Sequence, residues 1–227
     1  MKWRPLVFVL IIAAPVLTGA ERSCTILDDS SSEDPEDPNN PAQPFLDEFT
    51  GGLVFWRLTV PIPAQDMATG NPLPSMSVGS VSTLVTGGVT VRRFDISNGL
   101  VIEADLLLEA PSASTTANPE AWVGLSDVDD PTGTPGLAAG MRVDDASVLH
   151  FQVNGADIGQ AAAPATGAWH RYSTTIRADR VVEFRVDGAL LLTGGTVDAA
   201  HLVRPVEACG IGYPERPKFD NVVARLP

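Results

Sequence analysis

Basic residues are scarce in this chain: 15 Lys and Arg stand against 28 Asp and Glu, and the only lysines are Lys2 and Lys218. Affinity for nucleic acid depends on Lys and Arg neutralising phosphates, so a formal charge of −13 excludes DNA and RNA as partners. Cysteine is nearly absent, with Cys24 and Cys209 far apart, and the three histidines His150, His170 and His201 are isolated from one another. No His/Cys metal spacing, Gly-rich phosphate loop or nucleophile elbow is present. No stretch repeats apolar residues at helical spacing over three turns, which excludes a helical bundle.

What is present begins with Lys2 and Arg4 ahead of an uncharged run from Pro5 to Ala20 that ends in small residues. This is the layout of a secretory signal, with cleavage expected after Ala20. The run is shorter than the ~20 apolar residues of a spanning helix, and Pro15 interrupts it. No stable membrane span is expected after processing, which takes the formal charge from −13 to −15 by removing Lys2 and Arg4. Cys24 follows Glu21, Arg22 and Ser23, a poor match to a lipid-attachment pattern, so the protein is expected to be secreted or held at the cell surface without a lipid anchor. In that compartment Cys24 and Cys209 can form a bridge; the other reading makes Cys209 a small buried side chain in VEACGIGY, with Cys24 free or modified.

Residues 21–44 form an acidic linker rich in Pro and Ser. From Asp28 to Pro44 it reads DDSSSEDPEDPNNPAQP, too poor in apolar surface to offset its own ordering entropy. It is expected to act as an extended spacer. Residues 45–227 are enough chain for one substantial core. Strand-length segments of period two or continuous apolarity recur there: VTVRRF from Val89, LVIEADLLLE from Leu100, VLHFQV from Val148, HRYSTTIRA from His170, VVEFRV from Val181 and FDNVVARL from Phe219. Turn signals stand at Asn98-Gly99, Asn154-Gly155, Asp187-Gly188 and Gly194-Gly195. The expectation is an all-β sandwich or jelly roll of antiparallel sheets.

Three segments in order, FLDEFTGGLVFW (Phe45 to Trp56), AWHRYSTTIRADRVVEFRVDGALL (Ala168 to Leu191) and KFDNVVARL (Lys218 to Leu226), resemble the concanavalin-like lectins and glucanases. The nearer likenesses are to family 16 glycoside hydrolases and laminin-G-like modules. The resemblance spans nearly the whole of 45–227 and implies a concanavalin-like jelly roll. In the resembled enzymes, one strand carries two carboxyl groups as nucleophile and acid/base, about 5 Å apart. Here the corresponding stretch, Leu137 to Asp145, reads LAAGMRVDD, and those carboxylates are missing.

The function expected is therefore an exported, non-catalytic binding or adhesion module for carbohydrate or another extracellular ligand, with Trp122 and Trp169 as stacking rings. The competing reading is a polysaccharide hydrolase with displaced carboxylates, Glu103 and Asp105, which alternation places with Glu109 on one strand face, opposite Ile102, Ala104, Leu106 and Leu108. A third is a purely structural surface protein. His170 and Tyr172 share a strand face and read as a packed pair. The resemblance also implies a structural calcium held by Glu48, Asp220 and the carbonyl of Gly51. A second oxygen-rich loop, with Asp127, Asp129 and Asp130, reads first as a turn.

Overall fold

The computed structural model describes residues 43–79, 85–110, 119–129, 136–212 and 217–227. The signal segment, Cys24, nearly all of the tether and Asp130 lie outside them.

The described residues form an all-β jelly-roll sandwich of two antiparallel sheets. The strands are β1 (Phe45–Asp47), β2 (Trp56–Leu58), β3 (Ala64–Asp66), β4 (Ser75–Ser77), β5 (Thr86–Asp95), β6 (Leu100–Leu107), β7 (Glu120–Ser126) and β8 (Leu137–Val143). There follow β9 (Val148–Val153), β10 (Ala156–Ala162), β11 (Trp169–Ile176), β12 (Val181–Val186), β13 (Ala189–Thr196), β14 (Val203–Ile211) and β15 (Lys218–Arg225). The first sheet runs β13-β12-β11-β6-β15-β4-β3, with β1 also paired to β15. The second runs β10-β9-β8-β7-β14-β5-β2. A single 3-10 turn, Ala199–His201, is the only helical element among the described residues, and none of their helices is long and apolar enough to cross a membrane.

Alternation explains which side of each strand faces the core. In β6, Ile102, Ala104 and Leu106 point inward and meet Tyr172 and Phe184 of the same sheet. From the second sheet come Val123, Met141, Phe151 and Ala208. Phe151 and Phe184 join the layers, their rings 5.2 Å apart. At one end Phe45 meets Phe94 and Trp56 edge-on, at 5.9 and 6.5 Å. Such edge contacts suit the ring quadrupole and add to the area each ring removes from water.

Two of the four turn signals make tight hairpins. Asn154-Gly155 and Asp187-Gly188 have positive φ at both positions (51° and 74°, 50° and 79°), as a two-residue type I′ loop requires. The other two act differently. Asn98-Gly99 carries the chain from β5 in one sheet to β6 in the other, so it is a crossover turn. Gly194-Gly195 lies inside β13, where pairing with β12 slips between Val181 and Val182 and Gly195 takes φ 69°; it is a bulge in an edge strand.

Candidate functional site

The outer face of the second sheet carries two rows of cross-strand partners. One row is Cys209, Trp122, Arg142, His150 and Gln160. The other is Glu207, Gly124, Gly140, Gln152 and Asp157. Their neighbours of opposite parity, Val123, Met141 and Phe151, are core residues, which turns both rows away from the sandwich interior.

The half of this face nearer the sheet edge is a connected polar network. His150, 6% exposed, places Nδ1 2.7 Å from Asp157 Oδ2 and Nε2 2.9 Å from Asp144 Oδ2. Gln152 donates from Nε2 to Asp157 Oδ1 at 2.8 Å, and Arg142 donates to Glu120 at 2.8 Å while its other edge lies 3.9 Å from Asp157. Asp144 also accepts the N–H groups of Ala146 and Val148, at 3.0 and 2.8 Å. Burial by itself pushes both carboxyls up. For Asp157 the bonds from Gln152 and His150 with the charge of Arg142 outweigh it, and for Asp144 the bonds from His150, Val148 and Ala146 do, so both acids lie below the ordinary range. Gln152 Oε1 is buried with no hydrogen-bond partner, while Asp157 and Gln160 at the strand edge are exposed. A buried acceptor without a donor costs free energy until something donates to it. The set supplies donors and acceptors on neighbouring rigid strands, suited to an array of hydroxyl groups.

The other half of the face is covered. Trp122 is 1% exposed and packs with Leu137, Cys209 and Val85 in a second apolar cluster. Its indole Nε1 donates to Glu207 Oε1 at 2.7 Å, and Ser126 Oγ donates to Glu207 Oε2 at 2.7 Å. Burial pushes the Glu207 carboxyl up even against these bonds. Cys209 is a free, buried thiol, pushed well up by burial and by neighbouring Glu207.

This geometry corrects the expectation that Trp122 and Trp169 serve as stacking rings for one ligand. Trp122 offers no ring face to solvent. Trp169 is half-buried on the outer side of the other sheet, in a row with Leu107 and Lys218, so the two indoles lie on opposite sides of the sandwich. His170 bonds Asp187 and the carbonyl of Ala165 at 2.7 and 3.0 Å, and Tyr172 is a core residue. The three histidines stand on separate elements: β9, β11 and the 3-10 turn.

Glu103 and Asp105 do share the outer face of β6, as alternation requires. Both are engaged by arginine: Arg171 reaches Asp105 at 2.9 Å and Glu103 at 3.6 Å, and Arg225 reaches Glu103 at 3.5 Å. Asp105 also accepts from Asn221 Nδ2 at 2.8 Å. This is a structural ion-pair ladder across β11, β6 and β15. Asp129 likewise bridges Arg93 and Arg204, at 3.0 and 3.2 Å, which ties its loop to the sheet.

Asp220, fully buried, is the cross-strand partner of Asp105 and accepts N–H groups from Asn71 and Asn221. Burial pushes its carboxyl up, the nearby charges of Asp105 and Glu48 add to that, and the two N–H bonds oppose it. Gly51 stands in an open turn with no atom near the position a side chain would take. Among the described residues no group of three or more His, Cys, Asp or Glu side chains converges as a metal site.

Sequence reasoning missed the His150 network because its members come from β7 through β10 and from the turn after β8. One signal was available. His150 and Gln152 alternate outward in VLHFQV, and the Asn154-Gly155 loop sets Gln152 opposite Asp157.

Two antiparallel sheets packed face to face, with a polar outer face on one of them, place the chain by fold among the jelly-roll β-sandwich domains. No protein-family model matches the chain, and no curated protein matches it. Solved structures do. The Emp46p carbohydrate recognition domain in its potassium-bound form is similar at 12% identity and a TM-score of 0.55, over 78% of this chain and 90% of that one. The Emp47p carbohydrate recognition domain is similar at 11% identity and a TM-score of 0.54, over 75% and 87%. The cellulose induced protein Cip1 is similar at 16% identity and a TM-score of 0.53, over 81% and 97%. At these identities the likeness is one of fold.

Proposed function

We propose that this chain is an exported, non-catalytic carbohydrate-binding module whose site is the polar half of the second sheet's outer face. The observation that carries the reading is the network of Arg142, His150, Gln152, Asp157 and Gln160. It is held rigid by its own bonds, leaves the buried Gln152 Oε1 unpartnered, and reaches solvent through Asp157 and Gln160. Two of the similar structures are carbohydrate recognition domains, which supports the ligand class. Within that reading the jelly roll is of concanavalin type, related to family 16 glycoside hydrolases and laminin-G-like modules. The signal segment and the acidic tether support release or display outside the cell.

The same geometry argues against hydrolysis on this face. General-acid cleavage of a glycosidic bond needs a carboxyl kept protonated within reach of the leaving oxygen. Asp144 and Asp157 are held ionised, and Glu207, pushed up by burial, is 2% exposed beneath Trp122 and Ser126. Binding to a panel of polysaccharides, measured by calorimetry with release of reducing sugar followed in parallel, tests this. Binding without turnover is expected, weakened roughly tenfold or more by Arg142→Ala and by the exposed Gln160→Ala, and unchanged by Trp169→Ala. Loss of binding in Trp169→Ala alone would move the site to the other sheet and overturn the assignment.

Calcium at Glu48, Asp220 and the Gly51 carbonyl belongs to the same proposal. The fit is partial: Asp220 sits in the combined field of Asp105 and Glu48, which a cation would neutralise, but backbone carbonyls would have to complete the six to eight oxygens. Calcium is expected to raise the melting temperature and chelator to lower it. An identical melt in both removes the ion from the account.

A further inference from the structure

His150 is buried on the outer face of the second sheet with a carboxylate at each ring nitrogen: Nδ1 lies 2.7 Å from Asp157 Oδ2 and Nε2 lies 2.9 Å from Asp144 Oδ2. A neutral imidazole has one N–H, so one of its nitrogens would set a lone pair against a carboxylate oxygen. The imidazolium donates to both. The two carboxylates come from different elements. Asp144 belongs to the turn between β8 and β9, where it also accepts the N–H groups of Ala146 and Val148. Asp157 belongs to β10, at the slip in its pairing with β9 between Asp157 and Gly159. From β9, the protonated ring therefore ties a turn on one side to an edge strand on the other.

The other charged neighbours keep their charge over the range in which a histidine changes its own. Arg142, from β8, pairs with Glu120 of β7 at 2.8 Å and lies 3.9 Å from Asp157, while Asp145 follows Asp144 in the turn and is exposed. Hydrogen bonds hold Asp144 and Asp157 below the ordinary carboxylate range, and Gln152 and Gln160 are neutral. Histidine is the side chain of this network that ordinarily changes charge between about pH 5 and pH 8. Loss of its proton has a defined outcome. Gln160 Nε2 lies 3.3 Å from Nδ1, so a donor is already in place for the lone pair that deprotonation exposes there. Nε2 then keeps its proton and its bond to Asp144. Asp157, its side chain 35% exposed, loses the partner of Oδ2 and keeps Gln152 on Oδ1.

We propose that His150 is a proton-operated clasp on the candidate saccharide site: protonated, it fixes Asp144 and Asp157 in the arrangement that receives hydroxyl groups; neutral, it releases Asp157, so saccharide binding weakens as the pH rises through the titration of this ring. The saccharide rests on the reading in the preceding subsection; the clasp rests on the ring and its two carboxylates alone.

Nuclear magnetic resonance of the full chain with nitrogen-labelled histidine tests the clasp without any saccharide. At about pH 5 both ring nitrogens of His150 are expected to carry protons, and at about pH 8 Nδ1 is expected to have lost its own. The backbone amide signals of Asp157 and Gln160 are expected to shift with the same midpoint. Calorimetry with each polysaccharide of the panel above, at the same two pH values, is expected to show binding roughly tenfold weaker at the higher one, the size of effect for a hydrogen bond to a charged group. His150→Gln should hold the affinity nearly constant between the two values, and His170→Gln, on the other sheet, should keep the parent's dependence. Should His150→Gln fail to fold, the labelled parent chain decides. A His150 ring with a single proton at the acidic value, β10 amides that do not follow the ring, or a polysaccharide bound equally tightly at both values overturns the proposal. No binding at either value, with the ring and strand transition intact, supports the clasp and sinks the saccharide reading instead.

Discussion

Trp122→Ala is expected to destabilise the domain by about 3–5 kcal/mol, the range for truncating a large buried aromatic. Two costs combine. The cluster with Leu137 and Cys209 loses its largest member, and Glu207 loses the indole N–H that satisfies one of its oxygens in a site 2% exposed. Trp122→Phe separates the two, since it keeps most of the volume and removes only the donor, at about 1–3 kcal/mol. Denaturant unfolding of both variants measures the pair. An alanine variant as stable as the parent but unable to bind glycan would place the ring at a ligand surface, contrary to its burial.

Glu207→Gln is expected to stabilise the domain towards neutral pH, because it removes a carboxyl that burial makes costly to ionise. Glutamine keeps the geometry: its Oε1 accepts from Trp122, and its amide donates to Ser126 Oγ. The sign follows from linkage. Burial raises the folded-state pKa of Glu207 above its unfolded value near 4.5, so the folded state binds this proton more tightly. The parent is therefore favoured by acid at this residue and loses that contribution as pH rises from the unfolded value through the folded one. Glutamine does not titrate, so the gap between variant and parent should be smallest in acid and widest at neutral pH. The difference between the two chains cancels the contributions of Asp47 and Asp220, also raised, and of Asp144, Asp157 and Asp187, which are lowered. A gap that is constant or closes with rising pH would show that Glu207 is not desolvated as described.

Much of the fold was legible because strand alternation and turn chemistry are local. VLHFQV and VVEFRV coincide with β9 and β12, and Asp187-Gly188 forms the hairpin that its residue types demand. The short strands β1 to β4 were not, because three residues carry too little pattern to separate from loop. The stretch LAAGMRV was read for the carboxylates it lacks. In the sheet it is the interior strand β8, buried but for Arg142, and Gly140 lets the backbone of β7 and the Leu137 side chain approach closely.

By itself the sequence determined the all-β class of fold, the formal charge of −13 and the turn at Asn154-Gly155. Alternation also placed Glu103 and Asp105 on one face. It could not say that Arg171, from β11, would occupy both. The tertiary structure decided that Trp122 and Trp169 face opposite ways, because an alternating strand has two sides and only its sheet partners settle which is covered. It also decided the partner of His150: a slip in the pairing of β10 between Asp157 and Gly159 brings Gln160 opposite that residue. A bulge shifts every later pair by one residue, and its position is set by packing rather than by any local preference.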